Sequence, residues 1–301
     1  MTSEITLLVN PTAGRGRAAH AAQPAARALR DAGFSARTLV GADADDALLQ
    51  AREAVSRGTG ALVAVGGDGM ASLALQAVAG TDIPLGVVPV GTGNDFARAT
   101  GLPLGDPATA SRLVAGALTA GRTRSLDLGR VRGAGDDHWF GCVLASGFDS
   151  RVNDRGNRMR WPSGPRRYDI AMLAELAAFR PIGYRITLDD GPPQEIAATL
   201  VAVGNGPSYG GGMRICADAD LEDGLLDVTV VGACSRTTLL RVFPRVYRGT
   251  HLRHPAVTVH RARKVVLEAE DVTGYADGEQ VGPLPLTVDS VPRAVRLLVG
   301  E

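Results

Sequence analysis

The sequence predicts an α/β protein in which a doubly wound parallel-sheet domain, residues 1–127, precedes a β-sandwich domain, residues 128–301. Short apolar runs alternate with helical segments in the first part, a pattern typical of parallel sheets with right-handed crossovers. Glycine-rich turns separate these runs from the helices. From about Leu128 onward, segments of alternating polar and apolar residues follow one another, which favours antiparallel strands.

The clearest pattern of the first part is ALVAVGGDGMASLALQAVA at residues 61–79. Its five leading apolar residues are typical of a strand buried on both faces, and apolar residues then recur at helical spacing from Met70 to Val78. The same reasoning predicts further strands at residues 5–9, 34–40, 84–88 and 124–131, and helices at residues 18–32, 45–57 and 107–119.

The second part is predicted to be rich in β-structure and to contain one helix, at residues 168–179. Its candidate strands are residues 138–145, 184–188, 199–203, 225–231, 257–260 and 264–269.

Composition excludes several classes of protein. The 301 residues include 32 basic and 32 acidic side chains, so a general nucleic-acid binder is not expected. Three dispersed cysteines indicate buried thiols in a reducing cytoplasm. Neither a signal peptide nor a membrane-spanning run is recognisable, so we expect a cytoplasmic protein that is at most peripheral to a membrane. The sequence does not decide whether the chain forms a homodimer.

Two glycine turns, GGDG and GTGNDFAR, are predicted at the carboxyl ends of neighbouring strands, where open α/β sheets bind ligands. Asp68 and Asp95 provide one carboxylate in each turn, suited to a metal ion, and Thr92 and Asn94 can hydrogen-bond phosphate or ribose oxygens. N–H groups at the helix N-termini favour anions. Together these features indicate a metal–nucleotide site, although GGDG by itself is also compatible with a simple tight turn.

The loop NPTAGRGR after the first strand has no Walker A lysine. Phosphate contacts there would come from backbone N–H groups and from Arg15 or Arg17. An ordinary exposed loop is the alternative.

Residues 151–167 contain six arginines against few acidic residues, with Trp161 among them. We expect this segment to dock on an anionic membrane surface. A solvated loop, or arginines that bind phosphate inside the cleft, are the alternatives.

Four segments in a fixed order, LLVNPTAGRGR, VAVGGDG, PLGVVPVGTGNDFAR and the DGE at residues 277–279, resemble the bacterial diacylglycerol kinase and lipid kinase family. The segment GNGPSYGGGMRICADADLEDGLLDV resembles the second-domain signature of that family. The resemblance spans nearly the whole chain. It implies an ATP-binding first domain and a lipid that enters the cleft between the domains.

The resemblance also implies roles for individual residues. Glu279 would be the general base, and Asp68 and Asp95 would lie near the magnesium ion of ATP, with Asp127 extending their acidic network. The nucleotide would be lined by Asn10, Pro11, Thr12, Ala13, Gly14, Gly66, Gly67, Asp68, Gly69, Thr92 and Asn94. A structural magnesium ion would be held by Asp220, Asp223 and Leu225.

The sequence is therefore interpreted as an ATP- and Mg²⁺-dependent lipid kinase that acts on a diacylglycerol-like or sphingoid lipid at the cytoplasmic membrane face. Met70, Ser72 and Leu73 stand where the family usually has Thr, Asn and Glu, so we expect a difference in nucleotide affinity or in nucleotide choice. The family threonine near Val40 also has no counterpart. An NAD kinase-like enzyme and a non-catalytic lipid- or nucleotide-binding regulator are the alternatives.

Overall fold

A computed structural model describes residues 4–10, 17–133, 135, 137–148, 150–152, 155 and 180–300. The predicted helix at residues 168–179 lies outside the described residues, as does most of the arginine-rich segment.

The first domain is the predicted doubly wound parallel sheet. Strands β1 (Glu4–Val9), β2 (Ser35–Leu39), β3 (Leu62–Gly66) and β4 (Leu85–Pro89) pair in parallel in the order β4-β3-β1-β2. Both β3 and β4 are buried throughout, because helices cover both faces of the sheet. These helices are α1 (Arg17–Asp31), α2 (Ala44–Ser56), α3 (Asp68–Val78), α4 (Asp95–Ala99) and α5 (Pro107–Ala120).

The second part is mainly antiparallel, as predicted. Its strands are β5 (Thr123–Arg132), β6 (His138–Phe140), β7 (Val143–Gly147), β8 (Ile182–Leu188), β9 (Gln194–Gly204), β10 (Leu226–Gly232), β11 (Val257–Ala262), β12 (Lys264–Glu268), β13 (Thr273–Ala276), β14 (Glu279–Pro283) and β15 (Leu286–Leu298). A 3-10 helix, Thr250–Arg253, precedes β11.

The prediction of a single helix in this part was wrong. Helix α6 (Arg236–Val246) follows β10, with the Ser235 hydroxyl accepting from the backbone N–H of Thr238 at its start. Its buried residues, Leu239, Val242 and Val246, recur at helical spacing. The pattern was obscured by three arginines and by Pro244, which interrupts the helical hydrogen bonds.

The last strand joins the two parts into one hydrogen-bonded sheet. β15 pairs antiparallel with β12 and β5, and its residue Leu297 pairs in parallel with Leu85 of β4. The apolar core is continuous across the same boundary, since one buried cluster includes Phe96 from the first domain and Cys142 and Ile215 from the second. This packing fixes the cleft that the two parts border.

The described helices include none that is long and apolar enough to cross a bilayer.

Candidate active site

The glycine turns after β3 and β4 lie against each other at the carboxyl edge of the sheet. The backbone N–H of Val90 donates to the carbonyl of Gly66 at 2.9 Å. A Cβ atom on Gly91 would lie only 2.6 Å from the Cα atom of Gly67. Position 91 therefore requires glycine, because a side chain there would collide with the main chain of the GGDG turn.

Asp68 connects the two turns. Its carboxylate accepts hydrogen bonds of 2.6 Å from the backbone N–H groups of Asn94 and Asp95, at the start of α4. Asn94 has a positive φ of 54° and uses its side-chain amide within its own turn, since it accepts from the N–H of Gly91 and donates to the carbonyl of Gly91. Asp68 thus holds the GTGND loop in position.

Asp95 links this loop to the second domain. One carboxylate oxygen accepts from Arg98 at 2.8 Å, and the other accepts from the backbone N–H of Gly211 at 2.6 Å. Arg98 also donates to the carbonyl of Gly93, which fixes the turn from the other side. Gly211 lies between two further glycines, all with positive φ, in a narrow loop closed by the pairing of residues 209 and 213.

The sequence analysis did not identify Arg98 and Gly211 as site residues. The triple glycine in GPSYGGGMR was the available signal, because consecutive glycines mark close approaches of the main chain.

The negative charges of Asp68 and Asp95 lie close together and favour binding of a cation between them. Burial raises the pKa of Asp68, and the neighbouring charge of Asp95 raises it further. Arg98 pairs with Asp95. The lone pairs left on both carboxylates fit a hard cation with oxygen ligands, so the predicted Mg²⁺ is compatible with this pair. Their assignment as a magnesium pair remains a prediction.

The hairpin between β13 and β14 approaches from the second domain. Asp277 is partly buried in its turn and accepts from the backbone N–H groups of Gly141, Cys142 and Val143 at 2.7 to 3.1 Å. Glu279, two residues later, is exposed. The turn is thus anchored to the second domain by Asp277.

Glu279 faces the GGDG turn. Its carboxylate oxygen Oε1 lies 3.4 Å from the position that a Cβ atom on Gly69 would occupy. The predicted general base and the predicted nucleotide turn are therefore neighbours across the cleft.

Asp277 predicts a measurable pH effect on stability. Burial raises the pKa of its carboxyl from 3.8 to about 6, although the three N–H donors oppose the shift. Because the folded state holds this proton to higher pH than the unfolded chain, protonation stabilises the fold below about pH 4, and this contribution is lost as the pH rises through about 6.

The free energy of unfolding of the wild type, minus that of Asp277→Asn, is therefore expected to be larger at pH 4 than at pH 7 by up to about 3 kcal/mol. Denaturant titrations of both proteins across this range measure it. A difference that is constant with pH would contradict the raised pKa.

The nucleotide-lining residues are only partly described. Asn10 directly follows β1, and Thr92 is exposed in its turn. Pro11, Thr12, Ala13 and Gly14 lie outside the described residues. Met70 is buried in the core, and a Cβ atom on Gly66 would lie 2.4 Å from its Cβ atom. Methionine therefore contributes packing at a position where the family usually has a hydroxyl.

Asp127 serves the second-domain loop rather than the Asp68–Asp95 pair. Its two carboxylate oxygens accept from the backbone N–H groups of Gly224 at 2.6 Å and Arg293 at 2.8 Å. This arrangement ties residues 220–225 to the irregular middle of β15. Both contacts are with main-chain N–H groups and neither is with Asp68 or Asp95, so they do not extend the acidic network of that pair as expected.

The loop at residues 220–225 carries the predicted structural magnesium ligands. Arg261 pairs with Asp223 and with Asp227, so a guanidinium lies where the cation was expected. One oxygen of Asp223 also accepts from the N–H of Leu225, and one of Asp220 accepts from the N–H of Glu222. The described residues include no cluster of three or more His, Cys, Asp or Glu side chains placed to hold a metal. The donor set therefore does not favour an ion here, and the assignment stays a prediction.

Asp223→Ala is expected to lower the free energy of unfolding by about 1 kcal/mol, because it removes one of the two carboxylates that pair with Arg261 and the acceptor of the Leu225 N–H. Thermal melting with and without chelator measures this. A chelator that also lowers the wild-type melting temperature would assign the loop to an ion. If chelator leaves the wild-type melting temperature unchanged and Arg261→Met lowers it, the loop is stabilised by the Arg261 guanidinium. A melting temperature insensitive to both substitutions would contradict the loop's structural role.

Comparison with known proteins decides the family. Residues 4–131 match the diacylglycerol kinase catalytic domain, and residues 142–299 match the YegS C-terminal NAD kinase beta sandwich-like domain. Diacylglycerol kinase from Mycobacterium tuberculosis (strain ATCC 25618 / H37Rv) is 48% identical over 98% of this chain and 94% of its own length. The chain belongs to the diacylglycerol and lipid kinase family.

Other relatives agree. Diacylglycerol kinase from Bacillus subtilis (strain 168) is 30% identical over 93% of this chain and 90% of its own length. The crystal structure of a diacylglycerol kinase from Bacillus anthracis str. Sterne superposes with a TM-score of 0.73 at 23% identity, covering 99% of this chain and 97% of that one. At this identity the superposition shows the fold. The diacylglycerol kinase fold thus brings together GGDG, GTGNDFAR, the triple-glycine loop and Glu279.

Proposed function

We propose that the protein is a lipid kinase that transfers the γ-phosphoryl group of ATP to the hydroxyl of a membrane lipid, with diacylglycerol converted to phosphatidic acid. The observation that carries this proposal is the position of Glu279, whose carboxylate faces Gly69 of the GGDG turn from the opposite domain. Phosphoryl transfer requires such an arrangement, with a base on one side of the phosphates and charge-binding groups on the other.

Different residues of the chain would bind the phosphates, hold the metal ion and accept the proton. The glycine turns bring backbone N–H groups close to the phosphates because no side chains intervene. Asp68 and Asp95 would hold the Mg²⁺ of the nucleotide, and this ion supplies neutralisation of the phosphate charge when bound. Glu279 would accept the proton of the lipid hydroxyl, which a carboxylate within hydrogen-bond reach can do.

Labelled ATP tests this function. The purified chain is incubated with Mg²⁺ and, separately, with dispersed diacylglycerol, sphingosine, ceramide or NAD. Label transfer to diacylglycerol supports the proposal, and transfer only to a sphingoid lipid would change the acceptor. Transfer only to NAD would favour the NAD kinase-like alternative. Absence of transfer to all four, with ATP still bound, would favour a non-catalytic regulator.

A further inference from the structure

Helix α6 has one buried side and a broad exposed side. Leu239, Val242 and Val246 pack into the core. Other residues of the helix, together with two residues of the turn that follows it, form two stripes on the exposed side, one apolar and one basic. Neither stripe has a role in the proposed active site.

The apolar stripe is formed by Leu240, Phe243 and Tyr247, which recur at helical spacing. Leu240 and Tyr247 are each 51% exposed. The ring of Phe243 packs edge-on against the ring of Tyr247, with the centroids 6.3 Å apart. Large apolar side chains grouped on a surface mark an interaction site more often than single exposed ones do.

The basic stripe is formed by Arg241 and Arg245 on the helix and by Arg248 in the turn that directly follows it, and all three are exposed. Within the part of the chain that the structure describes, no acidic side chain forms a salt bridge with them. Residues 228–267 contain eight arginine or lysine residues and no aspartate or glutamate. Of these eight, Arg261 pairs with Asp223 and Asp227, so the segment that contains α6 keeps an excess of positive charge within a neutral chain.

The end of α6 adjoins the loop that contacts the candidate active site. The carbonyl of Val246 accepts from the backbone N–H of Arg214 at 3.1 Å. Three residues before Arg214, Gly211 donates to Asp95. A surface that covers α6 would therefore lie beside the domain cleft.

We propose that the exposed side of α6 docks on an anionic lipid bilayer and so holds the cleft against the membrane. The arginines would bind the anionic headgroups through charge attraction, which several basic residues near one surface strengthen together. Tyr247 and Leu240 would enter the interfacial region, where tyrosine is enriched. Basic and apolar stripes side by side are typical of helices that lie in the membrane interface.

The observations favour a bilayer over two other partners. A nucleic acid would be bound by the arginines but would leave the exposed leucine and the paired rings without a function. A second copy of this chain would bring two arginine stripes together, and like charges repel. The docking itself is argued from the surface of α6, and only its role, holding the cleft against the membrane, rests on the proposed lipid kinase function.

Co-sedimentation of the full chain with vesicles, in the absence of ATP, tests the docking. The probes are vesicles of phosphatidylglycerol mixed with phosphatidylcholine, and vesicles of phosphatidylcholine. The wild type is expected to bind the anionic vesicles in a manner weakened by salt. The triple variant Arg241→Ser, Arg245→Ser, Arg248→Ser is expected to bind them at least about tenfold more weakly. Leu240→Gln combined with Tyr247→Gln is expected to weaken binding with little change in its salt dependence.

Two matched variants control for charge and folding. Arg27→Ser, Arg30→Ser and Arg52→Ser remove the same charge from exposed positions of α1 and α2, and normal vesicle binding is expected. Replacing Arg241, Arg245 and Arg248 by lysine keeps the charge and should preserve binding.

Several outcomes would overturn the proposal. One is equal vesicle binding by the wild type and the triple serine variant, and another is an equal loss of binding in the α1/α2 control. Tighter binding of a DNA duplex than of anionic vesicles would favour a nucleic acid as the partner. A dimer that the triple variant disrupts, while vesicle binding is unchanged, would favour a second copy of the chain.

Measurements of kinase activity distinguish a failure of the docking from a failure of the proposed function. The triple variant should keep its turnover on a short-chain, water-dispersed diacylglycerol. A wild type that binds vesicles through α6 without phosphorylating any lipid would remove the kinase function and leave the docking intact.

Discussion

Glu279→Gln is expected to lower kcat for lipid phosphorylation by at least about 100-fold, with ATP binding little changed. Glutamine has nearly the same shape as glutamate but cannot accept the hydroxyl proton. Because Glu279 is exposed at the start of β14, its replacement should leave the melting temperature unchanged. Steady-state kinetics with dispersed diacylglycerol and calorimetric titration with ATP measure the two expectations.

The matched control is Glu195→Gln, since Glu195 is an exposed glutamate on β9 of the same domain and pairs with Arg185. It loses the same charge away from the cleft and should retain wild-type kcat. Turnover of Glu279→Gln that equals the wild type would remove Glu279 as the base. A loss of turnover accompanied by lost ATP binding would assign it to the nucleotide instead.

The parallel sheet could be predicted from the sequence because local composition determines it. The five-residue apolar run before GGDG is what a doubly covered strand needs, and β3 is buried throughout. The adjacency of Asp68 and Asp95 followed for the same reason, since the carboxyl ends of neighbouring parallel strands meet at one edge.

Other features depend on contacts between residues distant in sequence. β15 pairs with β4, about 200 residues earlier, and contains Pro292 beside Arg293, which has a positive φ. Local patterns cannot reveal such pairing, and a proline argues against a strand. The hydrogen bond from Gly211 to Asp95 was missed because it depends on how the two domains pack.

The position of Glu279 beside Gly69 could be approached only through the family resemblance. A DGE triplet is by itself typical of an exposed turn. The three hydrogen bonds that Asp277 accepts show why the acidic residue before the glycine matters, since they fix the turn from which Glu279 extends.

Asp68→Asn is expected to reduce activity to below about one thousandth of the wild type. Both oxygens of Asp68 accept main-chain N–H groups of the GTGND loop, and the amide nitrogen of asparagine would face one of these donors with a donor of its own. The substitution also removes one of the two charges available to a cation. The loop would shift and the cation would be held more weakly.

The fold should tolerate this change. Burial and the charge of Asp95 raise the pKa of Asp68, so removal of the charge relieves part of the cost of the lost hydrogen bonds. We expect the free energy of unfolding to fall by no more than about 3 kcal/mol. Circular dichroism during thermal melting measures this, and kinetics at several Mg²⁺ concentrations measures the activity.

Asp106→Asn provides the matched control. Asp106 also accepts two backbone N–H groups at a helix start, those of Ala108 and Thr109 at α5, but it lies outside the candidate site. Asparagine caps helices about as well as aspartate, so activity should stay near the wild type. Stability should fall slightly, because the asparagine amide nitrogen cannot accept from the Thr109 hydroxyl as the second Asp106 oxygen does.

The double variant Asp68→Asn, Asp95→Asn decides whether the two carboxylates act as a unit. If both serve one ion, the second substitution should add little to the loss caused by the first, because residues that act together have non-additive effects. Independent effects that multiply would separate the two roles, with Asp68 positioning the loop and Asp95 joining the domains through Gly211. Magnesium-dependent turnover of Asp68→Asn at the wild-type level would contradict both roles of Asp68.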